Sequence, residues 1–301
     1  MRFTIVTPSY GQLDWLGLCI ASVADQQGVG FIEHIVQDAG TPGIEEFARR
    51  LGADFYQDGK KVFSAQSPVE GQLSQSYSLT IYSEKDAGMY DAVNRGLRKA
   101  TGEICAYLNC DEQYLPGALC WVGDFFAKSE KAEVLFGDVI VVSAQGDALC
   151  HRQVTMPNPW CVAVSKNLPV FTAATFFRRE LVSKGYLFPE QWKDLGDAVW
   201  ISTLINQGVH CRTTRRFLST FTDTGENMNM RPNALAEKEH LKNSAPFIAK
   251  AFAVVLISLH RLRRFFEGAY CRKNLSYEIW CANETGHRKK FAVSAVGFSW
   301  R

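Results

Sequence analysis

The chain has 301 residues, 47% of them hydrophobic, enough for a full core and one or two domains. A formal net charge of +2 gives no compositional case for nucleic-acid binding, and nine cysteines without a CxxC pair or a Cys/His cluster exclude a disulfide scaffold or a zinc site. No stretch reaches the roughly 18 uninterrupted apolar residues of a spanning helix, and "MRFTIVTPS" opens a strand without a signal-peptide pattern, so a reduced, cytoplasmic chain is expected. In chain order, "FTIVTPSY" reads as a buried strand running into a polar turn, and Leu13, Leu16, Ile20 and Val23 then recur at helical spacing. "EHIVQDAGTPG" is a second strand stopped by a Gly/Pro turn, "EEFARRLG" a short helix ended by Gly52, and "ADFYQDG" a third strand. Residues 59–75, rich in Gly, Ser, Gln and Pro, read as an irregular loop. "SYSLTIYSEKDAG" alternates as a half-buried strand does, and "MYDAVNRGLRKATG" carries Met89, Val93, Leu97 and Ala100 on one helical stripe. An apolar run from Ile104 to Leu108, a helix entered through Pro116 and the strand "VLFGDVIVV" follow. Strands alternating with short helices predict an α/β fold with a mostly parallel sheet.

Polar residues gather where these strands end: Pro8-Ser9-Tyr10, Asp38, Asp86 and Asp111-Glu112. In open α/β sheets ligands bind at that edge. Two adjacent acids repel unless one is protonated or a cation bridges them. Either Asp111 caps the helix beginning near Leu115, or the pair holds Mg²⁺ or Mn²⁺, hard ions that take carboxylate oxygens and leave positions open for phosphate. No GxxxxGK[ST], GxGxxG after the first strand, or GxSxG is present, which argues against P-loop, dinucleotide-binding and serine-hydrolase readings.

The charge is unevenly spread. Residues 231–301 hold 13 Lys/Arg against 5 Asp/Glu, whereas residues 1–230 hold 20 against 26. Within this basic tail, "PFIAKAFAVVLISLHRLRRFF" (246–266) is too short and charged to span a bilayer. It suits either an amphipathic helix at an anionic membrane face, with Arg261, Arg263 and Arg264 near headgroups, or a helix packed on the body. His34 and the aromatics Phe125, Phe126, Phe176 and Phe177 are expected in the core, Asp91 and Asn94 in solvent or on local backbone, and Arg178-Arg179 as a surface pair.

Several segments together resemble glycosyltransferase family 2, inverting enzymes of GT-A (Rossmann-like) fold that use nucleotide sugars. They are "TIVTPSYGQLDWLGLCIASVADQ", "EHIVQDAGTPG", "SEKDAGMYDAVNRGLRKATGEICAYLNCDEQYLPGAL", "TAATFFRRELVSKGYLF" and "DLGDAVWISTLINQG", spanning roughly residues 1–225 in the family's order and spacing. The resemblance implies a catalytic domain over 1–226, with a nucleotide-sugar half (about 1–115) and an acceptor half (116–226), followed by a basic, amphipathic helical extension over 227–301. It implies that Pro8 and Tyr10 border the base and ribose, Asp38 bonds the base, Asp86 and Gly88 line the nucleotide pocket, Asp111 meets ribose or metal, and Glu112 binds metal. Asp197 matches the general base, the group that deprotonates the acceptor hydroxyl as it attacks the anomeric carbon; Asp194 competes, and Asp197 is also a plausible helix cap. Two departures stand out: Asn109 replaces the motif's first acid, and Glu112 stands where Asp is usual. The implied activity is metal-assisted hexosyl transfer from a nucleotide-diphosphate sugar to a saccharide or lipid-linked saccharide acceptor, in bacterial surface or exopolysaccharide biosynthesis at the inner face of the plasma membrane. The rival reading is an inactive nucleotide-binding homologue acting as a scaffold in glycan assembly. A nucleotidyltransferase is weaker still, because "TPSYGQ" has no basic residue for a triphosphate.

Overall fold

A computed structural model describes residues 1–65, 76–225, 232–282 and 286–300. Strand β1 (Arg2–Ser9) is buried on both faces from Phe3 onward, the mark of a central parallel strand. Helix α1 (Leu13–Ala24), β2 (Phe31–Asp38), α2 (Ile44–Arg50) and β3 (Asp54–Gln57) follow as the periodicity predicts. Part of the expected 59–75 loop is instead strand β4 (Lys60–Phe63), folded back on β3. The two-residue connection Asp58-Gly59 has positive φ at both positions (47° and 77°), the geometry an Asp-Gly hairpin turn supplies. The remainder of that loop, 66–75, lies outside the described residues.

Strand β5 (Tyr77–Ser83), α3 (Met89–Lys99), β6 (Ile104–Tyr107), β7 (Glu112–Tyr114), α4 (Ala118–Lys128), β8 (Val134–Ser143) and β9 (Ala148–Arg152) come next. They lead to α5 (Pro159–Ser165), a 3-10 turn (Thr172–Ala174), β10 (Thr175–Arg178), α6 (Glu180–Ser183), α7 (Gly196–Asn206) and β11 (Cys211–Asp223). Eleven strands form one sheet in the order β4-β3-β5-β2-β1-β6-β10-β8-β11-β7, with β9 on β8. Strands β3, β5, β2, β1 and β6 run parallel, while β10 enters antiparallel between β6 and β8. Helices α1, α2 and α4 contribute to the apolar core on one face, and α3 and α7 to the core on the other. The mostly parallel α/β architecture is the one expected.

The C-terminal segment holds α8 (Pro232–Asn243), α9 (Phe247–Ala251) and α10 (Ala253–Phe266). It then adds what the sequence reading did not anticipate, a two-stranded antiparallel sheet of β12 (Lys273–Ile279) and β13 (Lys289–Val296). Leu275, Tyr277 and Ile279 alternate inward and share a core with Leu115, Ile140 and Val142, so this hairpin is packed on the body. Arg288, at the foot of β13, makes a two-pronged pair with Asp25 at the end of α1 (Nε–Oδ2 2.6 Å, Nη2–Oδ1 2.6 Å) and donates to the carbonyls of Ser22, Tyr114 and Glu278. Gln113 of β7 exchanges two bonds with the Trp280 backbone, at 2.9 and 2.8 Å.

Other expectations resolve locally. His34 is a core histidine between Thr7 and Tyr77 (2.9 Å each), and burial pushes it down to about 3. All nine cysteines are free thiols. Arg178 is no surface charge: its guanidinium donates to the carbonyl of Phe126 in the last turn of α4, where the helix dipole favours a cation, and to that of Ala132 beyond the helix. The Arg288 side chain is only 8% exposed, so Arg288→Ala should strand Asp25 and three carbonyls and lower stability by about 3 kcal/mol, read as a fall in the urea midpoint at unchanged m.

Candidate functional site

The parallel strands β1, β2, β5 and β6 end along one edge, and the predicted residues lie there. On the β1–β2 side, Pro8 is buried opposite Gln37 and Ser9 opposite Asp38. The Asp38 carboxylate accepts the N–H groups of Gly40 (2.8 Å) and Thr41 (2.7 Å) and the Thr41 hydroxyl (2.6 Å). The Thr41 hydroxyl in turn accepts the Gly11 N–H at 2.8 Å, so Asp38 orders the turn that presents Tyr10, whose ring is 71% exposed. Ser9 Oγ and Gln37 Oε1 are buried without a partner among the described residues, an unmet demand for a polar ligand at this edge. Across the edge, Asp86 accepts the Gly88 N–H at 2.9 Å, and burial raises its pKa, with Asp38 adding repulsion. Gly88 has φ 124° and ψ 173°, a conformation open in practice only to glycine, and it starts α3.

The acid pair does not cap a helix. Helix α4 begins after Gly117 with no side-chain cap, and Glu112 instead opens β7. The short strand turns Glu112 inward, where its Oε2 accepts the Asn109 N–H at 2.9 Å. Burial, then repulsion from Asp111, push Glu112 up to about 8, and burial raises Asp111 as well. None of the ion pairs among the described residues includes either acid.

Asp197 contributes to the upward shift of Glu112, which puts it at the same edge. It lies in the first turn of α7, half-buried over an aromatic floor: Phe188 stacks on Trp200 (4.3 Å between centroids) and on Tyr90 (5.7 Å). Its N–H donates to the Tyr90 hydroxyl at 3.1 Å, and its Oδ1 accepts the Ala198 N–H at 2.7 Å. Burial outweighs these bonds and pushes Asp197 up to about 6. Asp194 faces elsewhere, its carboxylate accepting from Asn233 Nδ2 at 2.6 Å.

Three residues matter more than the sequence reading assigned. Asn94, expected in solvent or on local backbone, is buried and clips both the N–H (2.9 Å) and the carbonyl (2.8 Å) of Phe188, drawing the aromatic floor to α3. Asp91 does hold local backbone, the Ala87 N–H at 2.9 Å, together with Arg95. Tyr90 packs so closely on Gly196 that a Cβ there would lie 2.5 Å from its ring. The segment "DAGMYDAVNRGLRKATG" was the available signal for Tyr90 and Asn94. Glu237, from α8, was invisible in it.

The residues fit a hard divalent ion. Asp111 and Glu112 are adjacent carboxylates with no cationic side chain paired to them among the described residues, and those residues contain no group of three or more His, Cys, Asp or Glu that could form a protein cage. That donor set suits a Mg²⁺-like ion sharing its remaining positions with water and phosphate.

Two outcomes follow from this geometry. In the unfolded chain Glu112 ionises near its ordinary value, so between about pH 4.5 and about 8 the folded chain holds more protons and its stability falls as pH rises. Melting curves without divalent ions should decline across that window, and Glu112→Gln should flatten the decline. Gly196→Ala should force the rigid Tyr90 ring aside, costing about 1–3 kcal/mol in thermal or urea unfolding.

Residues 4–153 match the family model of glycosyl transferase family 2. A PGL/p-HBAD biosynthesis glycosyltransferase of Mycobacterium tuberculosis is 30% identical over 142 residues, 47% of this chain and 48% of that protein. The chain thus spans about half the length of the curated relatives it matches at that identity. An uncharacterized glycosyltransferase of Nostoc sp. is 22% identical over 259 residues, 81% of this chain and 72% of the relative. Among solved structures, S. aureus TarS 1-349 in complex with UDP-GlcNAc aligns with a TM-score of 0.55 at 13% identity, covering 96% of this chain and 99% of that one. The same protein in complex with UDP aligns at 0.52 and 15%, covering 88% and 72%. At those identities the likeness concerns the fold. The family match, the curated relatives and the mostly parallel sheet agree: the chain belongs to glycosyltransferase family 2.

Proposed function

We propose that the protein transfers a sugar, with inversion, from a nucleotide-diphosphate sugar to a saccharide or lipid-linked saccharide acceptor in bacterial surface-glycan assembly. The observation that carries this reading is the gathering of Asp111, Glu112 and Asp197 at one sheet edge, beside the strand ends that bear Tyr10, Asp38 and Asp86. Residues 1–226 do the chemistry, about 1–115 holding the donor and 116–226 the acceptor, and 227–301 brace and locate them. Tyr10 and Pro8 border the base and ribose, and the Asp38 and Asp86 loops close on the nucleotide over Gly88. Asp111 and Glu112 hold Mg²⁺ or Mn²⁺, with Asp111 also within the ribose's reach. Such an ion, when bound, offsets the charge of the departing diphosphate. Asp197 accepts the acceptor hydroxyl's proton as the new bond to the anomeric carbon forms and the bond to the diphosphate breaks on the opposite face. A base near 6 is ionised at neutral pH yet basic enough for that transfer. TarS, which shares this fold and was solved in complex with UDP-GlcNAc, supports a nucleotide-sugar donor.

One observation favours the scaffold reading. Asn109 supplies no charge, and Glu112 is engaged by the Asn109 backbone. Melting curves with UDP, GDP and TDP, each with and without Mn²⁺, should show stabilisation by one nucleotide that the ion increases; no shift with any of them refutes the donor site. Nucleotide release from the matching sugar nucleotide should vanish in Asp197→Asn, whereas a scaffold would show none in either protein. The acid limb of the rate should fall tenfold per pH unit below about 6, because protonating Asp197 removes the base.

The tail supplies a place for such work. No helix among the described residues is long and apolar enough to cross a membrane. Along α9 and α10 the residues Phe247, Val254, Leu259, Leu262 and Phe266 are exposed, with Lys250, Arg261 and Arg263 exposed among them. Arg264, expected at the same surface, is buried instead against Phe298 (4.3 Å) and Tyr270, where its planar cation stacks on their rings. An exposed apolar face interleaved with cations matches an anionic lipid surface. Pelleting with phosphatidylglycerol vesicles should be lost in Leu259→Glu/Phe266→Glu and weakened by salt; undiminished pelleting of that variant refutes the contact.

A further inference from the structure

Helix α7 begins at Leu195 without a side-chain cap of its own. The turn that leads into it is held from α8 instead. Glu237 Oε1 accepts the Lys193 N–H at 2.7 Å, and Oε2 accepts those of Asp194 (3.0 Å) and Leu195 (2.9 Å). Asn233, one turn earlier on α8, donates to both Glu237 Oε1 (3.1 Å) and Asp194 Oδ2 (2.6 Å). Three consecutive backbone N–H groups leading into α7 therefore converge on one carboxylate, placed where the helix dipole stabilises negative charge. The turn so held is tied on both sides. Lys193 Nζ reaches back to the Ala87 carbonyl at 2.8 Å, beside Gly88 on the donor side. Two residues beyond Leu195 stands Asp197.

We infer that Glu237 is a positioning residue for the transfer reaction: from the C-terminal segment it fixes the Lys193–Leu195 turn and so sets where Asp197 stands relative to the bound donor. This rests on the reading of Asp197 as the base. Ala removes the acceptors outright; Gln replaces one accepting oxygen with an NH₂ group that opposes a backbone donor, so it is no conservative substitute here. Glu239, two positions further along α8 and paired with Lys166 at the end of α5, serves as a control for the docking of α8 itself.

The test uses the full chain, with the nucleotide sugar whose nucleotide gives the largest melting shift. Turnover is read as nucleotide diphosphate release, and donor affinity as the KM and the melting shift. Glu237→Ala and Glu237→Gln are expected to lower kcat at least tenfold, with KM for the donor and the nucleotide-induced shift within twofold of the parent. Glu239→Gln is expected to leave kcat unchanged. A kcat within twofold of the parent in folded Glu237→Ala overturns the inference, as does a loss of kcat matched by an equal loss of donor affinity or shared by Glu239→Gln. Asp197→Asn, measured alongside, separates the two readings. Full turnover in that variant removes the base assignment and this inference with it, whereas turnover lost there and retained in Glu237→Ala overturns this inference alone.

Discussion

The governing constraint is the placing of three carboxylates, the buried Glu112 and the half-buried Asp111 and Asp197, at one end of a parallel sheet. Burial raises the proton affinity of each group, repulsion from Asp111 and Asp197 adds to it at Glu112, and Glu112 and Asp197 move to about 8 and about 6. Such an arrangement destabilises the chain that carries it, so it persists only where the surroundings are fixed by stronger packing. Here β1 and β6 are buried on both faces, and the ring stack of Tyr90, Phe188 and Trp200 forms a stiff floor.

The N-terminal strands and the segment that carries α7 meet through backbone as much as through side chains. Asn94 grips Phe188 across 94 positions of sequence, Tyr90 lies flat on Gly196, and Lys193 spans back to Ala87. These contacts place the ends of the parallel strands against the helix that bears Asp197. The same logic extends to the C-terminal segment, which contacts the site from two directions: α8 at the Lys193–Leu195 turn, and Trp280 with Arg288 on the strand and helix that flank Glu112.

Much of this was legible in the residues. The continuous apolar runs of β1, β6 and β8 and the stripe on α3 specify their elements, because parallel strands buried on both faces and amphipathic helices have distinct periods. The strand-end acids were visible as polar interruptions of apolar runs. The residues that escaped notice act at a distance. Glu237 reads as one more charge on a polar helix, Arg288 as one basic residue in a basic tail, and Asn94 as a solvated amide, since their partners lie 42, 263 and 94 positions away. Strand β4 was readable from "QDGK" and was obscured by the polar stretch around it. Strand β7 is three residues long, too short for a period to declare itself, and its pairing with β11 turns Glu112 inward.

The Arg288–Asp25 pair also orders events in time. A contact between positions 263 apart can form only once both ends of the chain are made, and its closure entropy must be met before the contact gives anything back. During synthesis the N-terminal strands can pair long before Arg288 leaves the ribosome, yet β7 and the end of α1 remain unbraced until it does. The nascent protein would then hold its sheet early and its acidic edge late.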